Sequence, residues 1–214
     1  MAVTISGSTG ISSVDGSAAS PGVRGGDANT GVFYSSDAIQ FATGGVERAV
    51  INNNGLSAPG HVIQVVQQST SSTTSTTSST YTDTGLSQAI TPVSSSSKIL
   101  VTCSVVYGGA NDSYIGFKIL RGTTSIGASS EATGNQSNVA FGGSGDRTHM
   151  EYMTFPVSWS YLDSPNTTSS TTYKIQYASR WDSNTIYINR PHIITDNGHV
   201  FYTTSTLTLM EIAG

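Results

Sequence analysis

From Lys98 onward, apolar and polar positions alternate with a period of two, the pattern of strands with one face buried. Ile99, Val101, Cys103, Val105 and Tyr107 share one strand face, with Thr102 and Ser104 opposite. Ile115, Phe117 and Ile119 repeat the pattern with Lys118 outside, and Met153, Phe155, Val157, Trp159 and Tyr161 form a third row. Tyr173, Ile175 and Tyr177 make a fourth, Ile186 and Ile188 a fifth, and Leu207, Leu209, Met210 and Ile212 a last one. Upstream, His61 to Gln68 is apolar on both strand faces, which predicts a strand covered on both sides. With that strand and the Tyr81 to Pro92 region, about eight strands joined by Gly, Asn and Ser loops are expected. That pattern points to a β-sandwich of jelly-roll type over residues 61–214. Amphipathic helical spacing is nearly absent, so the chain reads as all-β. Cys103, between Val101 and Val105, is expected to be a buried, inert core thiol.

Residues 1–60 follow a different rule. They hold 11 of the 23 glycines but only three aromatics, Phe33, Tyr34 and Phe41. Turn signals recur about every ten residues, at Asp15-Gly16, Pro21-Gly22, Gly25 to Asp27, Asn29 to Gly31, Gly44-Gly45 and Asn52 to Gly55. Short strands lie between them at Val32 to Tyr34, Ala38 to Ala42 and Val46 to Ile51. So few large side chains cannot offset roughly 1–2 kcal/mol of backbone entropy per residue. The expectation is that these strands pair with copies of themselves on other chains, making an intertwined oligomeric stalk. Between the two regions, Ser69 to Thr80 is an unbroken run of twelve Ser and Thr residues. It reads either as a solvated loop or, from its β-branched threonines, as an exposed edge strand.

Composition narrows the function. Of 214 residues, 35 are Ser and 29 Thr, while charged residues make up 10%, against roughly 25% in ordinary domains. Net charge is −4 and no Lys/Arg cluster occurs, which argues against nucleic acid as a partner. No run of eighteen apolar residues is present, so no membrane insertion is expected. The opening MAVTISGSTG has neither a basic start nor an apolar stretch, so no secretory signal is expected either. One cysteine permits no intrachain disulfide and fits synthesis in a reducing cytoplasm.

The stretch from Gly16 to Tyr34, GSAASPGVRGGDANTGVFY, resembles a motif of phage tail fibres, especially those of marine and cyanobacterial phages. Its continuation from Ala38 to Arg48, AIQFATGGVER, and the turn from Asn52 to Gly55 fit the same motif. The later part is similar to the distal domain that follows such motifs, at Val62 to Val66, Ile90 to Pro92, Ser97 to Val101, Ile119 to Gly122 and Thr206 to Ile212. The likeness is strongest over 16–55 and 90–122 and weakest over 127–147. It implies a homotrimeric virion appendage, made in the host cytoplasm, that joins other tail proteins and attaches to a bacterial surface. Cyclic symmetry would turn one weak site per chain into several facing the same way, with effective-concentration gains of about 10²–10⁴. A surface poor in ions is also expected to bind with little dependence on salt.

Candidate chemistry lies in loops. Arg180-Trp181-Asp182-Ser183-Asn184 sits between two expected strands and has the make-up of a saccharide site. An aromatic ring stacks on the apolar face of a pyranose while fixed polar groups take its hydroxyls. The plain alternative is that Trp181 folds back as a plug. Asn111-Asp112-Ser113-Tyr114 has similar character, and Tyr202 and Asn197 carry a weaker signal. Receptor contacts are therefore expected from Trp181, Asp182, Asn184, Asn111, Asp112 and Tyr114. His149 with Glu151, or His192 with Asp196 and His199, could hold a metal, on a three-fold axis if trimeric. No zinc-type spacing supports this, and scattered surface histidines with no cofactor are expected instead. Asp163 with Asp182, or Asp146 with Glu151, could be proposed as paired acids of a glycan-cleaving fibre, but no spacing forces the required geometry. No GxSxG elbow anchors a serine nucleophile, and the paired glycines match no phosphate loop.

The expected molecule is a non-enzymatic tail-fibre fragment, with a glycine-rich trimeric β stalk at 1–60 and a jelly-roll-like knob at 61–214. Its expected role is adsorption to a bacterial surface glycan or protein receptor. The rival readings are a polysaccharide-degrading fibre tip and a purely structural spacer.

Overall fold

The computed structural model describes residues 15–144, 150–180, 184–196, 198 and 200–214. The chain is all-β and forms two compact units, one running to Ile63 together with Ile212–Gly214, the other comprising Gln64–Glu211.

The first unit is built from two-residue turns. A small hairpin, β1 (Gly16–Ser17) and β2 (Ser20–Pro21), precedes five strands: β3 (Val23–Arg24), β4 (Gly31–Ser35), β5 (Ala38–Thr43), β6 (Val46–Asn52) and β7 (Gly55–Ser57). These five pair in chain order as one antiparallel meander. Gly44 and Gly45 turn β5 into β6 with φ of 60° and 76°, the double left-handed geometry that matches strand twist. The backbone groups of β4, β5 and β6 are thus taken up within the chain, because each turn is short enough to return the strand beside its predecessor. Pairing of these inner strands with other copies, which the sequence suggested, is not how their hydrogen bonds are met here.

The motif Gly26 to Gly31 braces this meander. Asp27 accepts from the Asn29 amide at 3.2 Å, and Arg24 Nη1 donates to the Ala28 carbonyl at 2.5 Å. The Gly45 amide donates to Asn29 O at 2.8 Å, and the Gly44 amide to Thr30 Oγ1 at 3.2 Å. Hydrogen bonding to the Thr30 side chain, then to the Asn29 backbone, holds the Asp27 carboxyl below its ordinary range. Gly31 leaves no room for a side chain, since a Cβ would run into the Val23 carbonyl oxygen.

Register places Val23, Val32, Phe41 and Ala49 in one row across the sheet and Tyr34, Ile39, Ile51 and Leu56 in the next, all on one face. Val23, Ile39, Phe41, Ile51 and Leu56 are exposed there. On the opposite face Phe33 and Ala42 are buried, as is Pro21 of the hairpin.

The second unit is a two-sheet sandwich. Its strands are β8 (Val62–Thr70), β9 (Thr74–Thr76), β10 (Thr82–Ile90), β11 (Lys98–Gly109), β12 (Tyr114–Arg121) and β13 (Thr124–Ile126). They continue with β14 (Phe141–Ser144), β15 (Phe155–Asp163), β16 (Thr171–Ser179), β17 (Ile186–Ile188) and β18 (Ser205–Ile212). One sheet runs β8-β18-β11, after which β11 pairs β15 along its length and β17 at its last three residues; the other runs β10-β16-β12, with β13 and β14 both on β12. The orders β8-β18-β11-β15 in one sheet and β10-β16-β12-β13 in the other, with the chain crossing between sheets at β10, β11, β12, β15, β16 and β17, are those of a jelly roll. The core between the sheets contains the β11 row from Ile99 to Tyr107, with Ile115, Phe117, Ile119, Tyr173, Ile175, Tyr177, Ile186, Ile188, Leu207 and Leu209. Stacked rings of Phe117, Phe141 and Trp159 lead out to Tyr161 where β14 and β15 approach. Cys103 is buried and its thiol is pushed up to about 12 by desolvation, as fits an inert core residue.

Four details depart from the alternation pattern. Met153 precedes β15, after a 3-10 turn at Met150–Tyr152, and is exposed rather than inward. Glu211, not Met210 or Ile212, continues the inward row of β18; it is fully buried and accepts from Gln64 Nε2 at 2.5 Å and the Val93 amide at 2.8 Å. Strand β8 ends its sheet, so Val62 and Val65 are exposed while only Val66 packs on the core. Part of the Ser/Thr run is a strand, since β9 pairs β17 at the sheet edge. Asn189 secures that run: fully buried with φ of 64°, it donates through Nδ2 to Thr70 O and Ser72 O at 2.9 Å each. Its Oδ1 accepts from Ser205 Oγ at 2.6 Å.

Candidate functional site

Four segments of the jelly roll meet where β12 begins. The β11–β12 turn carries Asn111 to Ser113; Asp112 has φ of 59°, and buried Ser113 Oγ donates to Ala110 O at 2.6 Å. The end of β16 lies alongside, since the Arg180 amide donates to Tyr114 O at 2.8 Å. Next comes the segment leading into β10: Ser78 O accepts from the Ser179 amide, and Arg180 Nη1 donates to Ser79 O at 3.1 Å. The fourth is the 127–140 loop, closed on itself by Ser129 N to Val139 O, Ala132 N to Asn138 Oδ1 and Thr133 N to Gln136 Oε1. Arg180 Nη2 reaches across to Ser137 Oγ, tying that loop to the site.

Three of these segments line a cleft of about 270 Å³, with Tyr114, Ile115 and Gly116 from β12, Asn135, Ser137 and Val139 from the 127–140 loop, and Arg180 after β16. Tyr81 does not line it; its hydroxyl packs against Gly116 and is buried without a hydrogen-bond partner. Lys118 Nζ sits 4.3 Å from the centre of the Tyr81 ring. Burial raises the Tyr81 hydroxyl above its usual range, with the Arg180 charge opposing, so it is a neutral donor at physiological pH.

The structure brings together two loops that the sequence singled out separately. Asn184 Nδ2 donates to Asn111 O at 3.0 Å and to Asp112 O at 3.4 Å, and Asn184 O accepts from Ser179 Oγ at 2.7 Å. Its amide is therefore a clasp between loops. Asn111 Oδ1 is buried without a partner, whereas the Tyr114 ring is 43% exposed on the cleft rim. Trp181 and Asp182 lie outside the described residues, as do Asn197, His149 and His199. Tyr202 is exposed beside a separate shallow cleft with Ile194, Asp196 and Val200.

Gly116, Asn135, Ser137 and Val139 were not foreseen as site residues, and Arg180 was noticed only as a neighbour of Trp181. The one local signal was Gly116, which interrupts an otherwise large-residue strand. Asp163 is not placed as an acid catalyst: nearly buried, it accepts from Arg121 Nη1 at 2.9 Å on both oxygens and from Tyr173 OH at 2.7 Å. Among the described residues no three His, Cys, Asp or Glu converge on a point that could hold a metal ion. No protein-family model matches the chain, and no curated protein matches its sequence.

Proposed function

We propose that this chain is the distal part of a phage tail fibre, a homotrimer on the virion that attaches to a bacterial surface. The observation that carries this reading is the bare apolar face of the meander, with Val23, Ile39, Phe41, Ile51 and Leu56 in register across its strands. Apolar area in water costs about 25 cal/mol per Å², and a contiguous patch of this kind marks an interaction surface. Identical copies arranged about a three-fold axis cover such a face without another partner. The stretch of strongest resemblance, 16–55, supplies most of this sheet, which ties the resemblance to the physical argument.

In this reading the jelly roll is the receptor-binding part, with no catalytic step, and other tail proteins join the fibre. Residues 111–114 meet Arg180 and Asn184 at one site, so a surface glycan or protein could touch both. Three such sites linked in one particle make weak single contacts effective.

Light scattering of the full chain tests the assembly, with an expected mass three times 22.2 kDa. A monodisperse monomer overturns the trimer. A fluorescent fusion incubated with a panel of bacterial strains tests attachment, and retention on none of them favours a structural spacer. Release of reducing ends from capsule or lipopolysaccharide would instead support a degrading fibre tip.

A further inference from the structure

We propose that Asn54 and Gly55, in the β6–β7 turn, form a self-modification site. The chain converts Asn54 to aspartate and isoaspartate through a cyclic imide, and the isoaspartate form displaces Leu56 from the apolar face of the meander. The chemistry stands by itself; only its effect on copy number rests on the trimer reading above.

Local sequence comes first. The attacking atom is the backbone nitrogen of the following residue, which must reach the side-chain carbonyl carbon, and a side chain on that residue obstructs the approach. Among the described residues Asn54 is the asparagine that a glycine follows; the others precede Thr, Asn, Asp, Gln, Val or Arg. Asn197, which also precedes a glycine, lies outside them. Gly55 sits at φ of 96°, and nothing lies within 4 Å of the position a Cβ would take there.

The turn leaves the reacting groups available. Asn52 holds it, accepting from the Asn54 backbone amide through Oδ1 at 2.9 Å. Among the described residues the Asn54 side-chain amide has no hydrogen-bond partner. Asn54 and Gly55 are both exposed, and Asn52 to Asn54 line an open polar cleft with Asp37 and Glu47, so water reaches the turn. The Asn52–Gly55 pair closes the hairpin, and β7 is a three-residue edge strand that pairs β6 alone. Opening that last pair frees the Gly55 nitrogen, and such margins open most readily.

The reaction has two steps. Gly55 N bonds to Asn54 Cγ, the Cγ–Nδ2 bond breaks, and the Gly55 proton leaves with Nδ2 as ammonia. Closing a five-membered ring within one chain gives the attack its advantage. Water then adds to one imide carbonyl. Opening at Cγ yields aspartate with the normal main chain; opening at the main-chain carbonyl carbon routes the chain through Cβ and Cγ as isoaspartate. The second product lengthens the chain by one C–C bond, about 1.5 Å. In so short a turn that extra length shifts Leu56 out of register with Ile51, and both belong to the bare face.

The test is peptide mapping of the full chain by mass spectrometry, sampled over days in neutral and mildly alkaline buffer. A gain of about one dalton at Asn54 is expected as the amide becomes an acid, with an equal amount of ammonia released. The rate is expected to rise with pH, because the attacking nitrogen must lose its proton, and isoaspartate methyltransferase is expected to label part of the product. Asn52 and Asn53 are expected to keep their amides. Asn54→Gln keeps an amide but cannot close a five-membered ring, so it is expected to stop the reaction and unfold at the wild-type temperature. Gly55→Ala is expected to slow it about tenfold or more. A folded chain that keeps its mass at Asn54, or conversion of Asn52 and Asn53 at an equal rate, overturns the proposal. Light scattering of fresh and aged samples separates the two readings. Loss of the trimer in aged wild type but not in aged Asn54→Gln supports both. A fresh chain that is already monomeric removes the trimer and leaves the modification; a modified chain that stays trimeric overturns the displacement of Leu56.

Discussion

Asn189 illustrates how one polar residue can decide the placement of a dozen others. Its amide holds Thr70 and Ser72, its carbonyl oxygen accepts from Ser205, and its backbone sits at φ of 64°. Asn189→Ala takes the partner from the Thr70 and Ser72 carbonyls and from the buried Ser205 hydroxyl, and puts alanine, which tolerates it less well than asparagine, in a left-handed conformation. A loss of about 3 kcal/mol or more is expected, read as a lowered denaturant midpoint. A change below about 0.5 kcal/mol would mean that water replaces the amide. Nothing around residue 70 announces this dependence, since the partner lies more than a hundred positions away. The same distance hid the cleft, whose lining residues come from three segments, while Tyr114 was legible because an aromatic among polar turn residues is a local signal. Glu211 was passed over because a carboxylate in an inward row reads as an error in alternation; it is accommodated by Gln64 and the Val93 amide.

At the scale of elements, period-two alternation was legible wherever both sheets press on a strand, as in β11, whose five inward residues from Ile99 to Tyr107 are all buried. It failed at sheet margins. There β8 leaves Val65 in solvent, and β9 is fixed by pairing with β17 rather than by apolar side chains of its own. Turn chemistry was legible at most turns of the meander, at Gly44-Gly45 above all, but not at Ser36-Asp37, where Asp37 takes a φ of 58° without a glycine to announce it. What the turns could not reveal was that the strands would satisfy one another and leave an apolar side-chain face bare, the face that other copies cover in the proposed trimer. This difference yields a sharp expectation. Phe41→Asp places a charge on the bare face without touching the buried Phe33 side. Its mass by light scattering is expected to fall from three copies to one with the β-type circular dichroism retained. A persistent trimer would place the interface elsewhere.

For the whole molecule, the eighteen core residues of the jelly roll all lie between Leu86 and Leu209, so none belongs to the first unit. A chain lacking residues 1–60 is expected to unfold cooperatively within a few degrees of the parent and to weigh as a monomer. A non-cooperative melt would show that the sandwich depends on the meander. The passage from one unit to the other at Ile63 and Gln64 has a further consequence. From Arg48 the next Lys or Arg is Lys98. Trypsin-like proteases therefore find no bond to cleave along that passage, and digestion by enzymes of this specificity leaves the two units joined there.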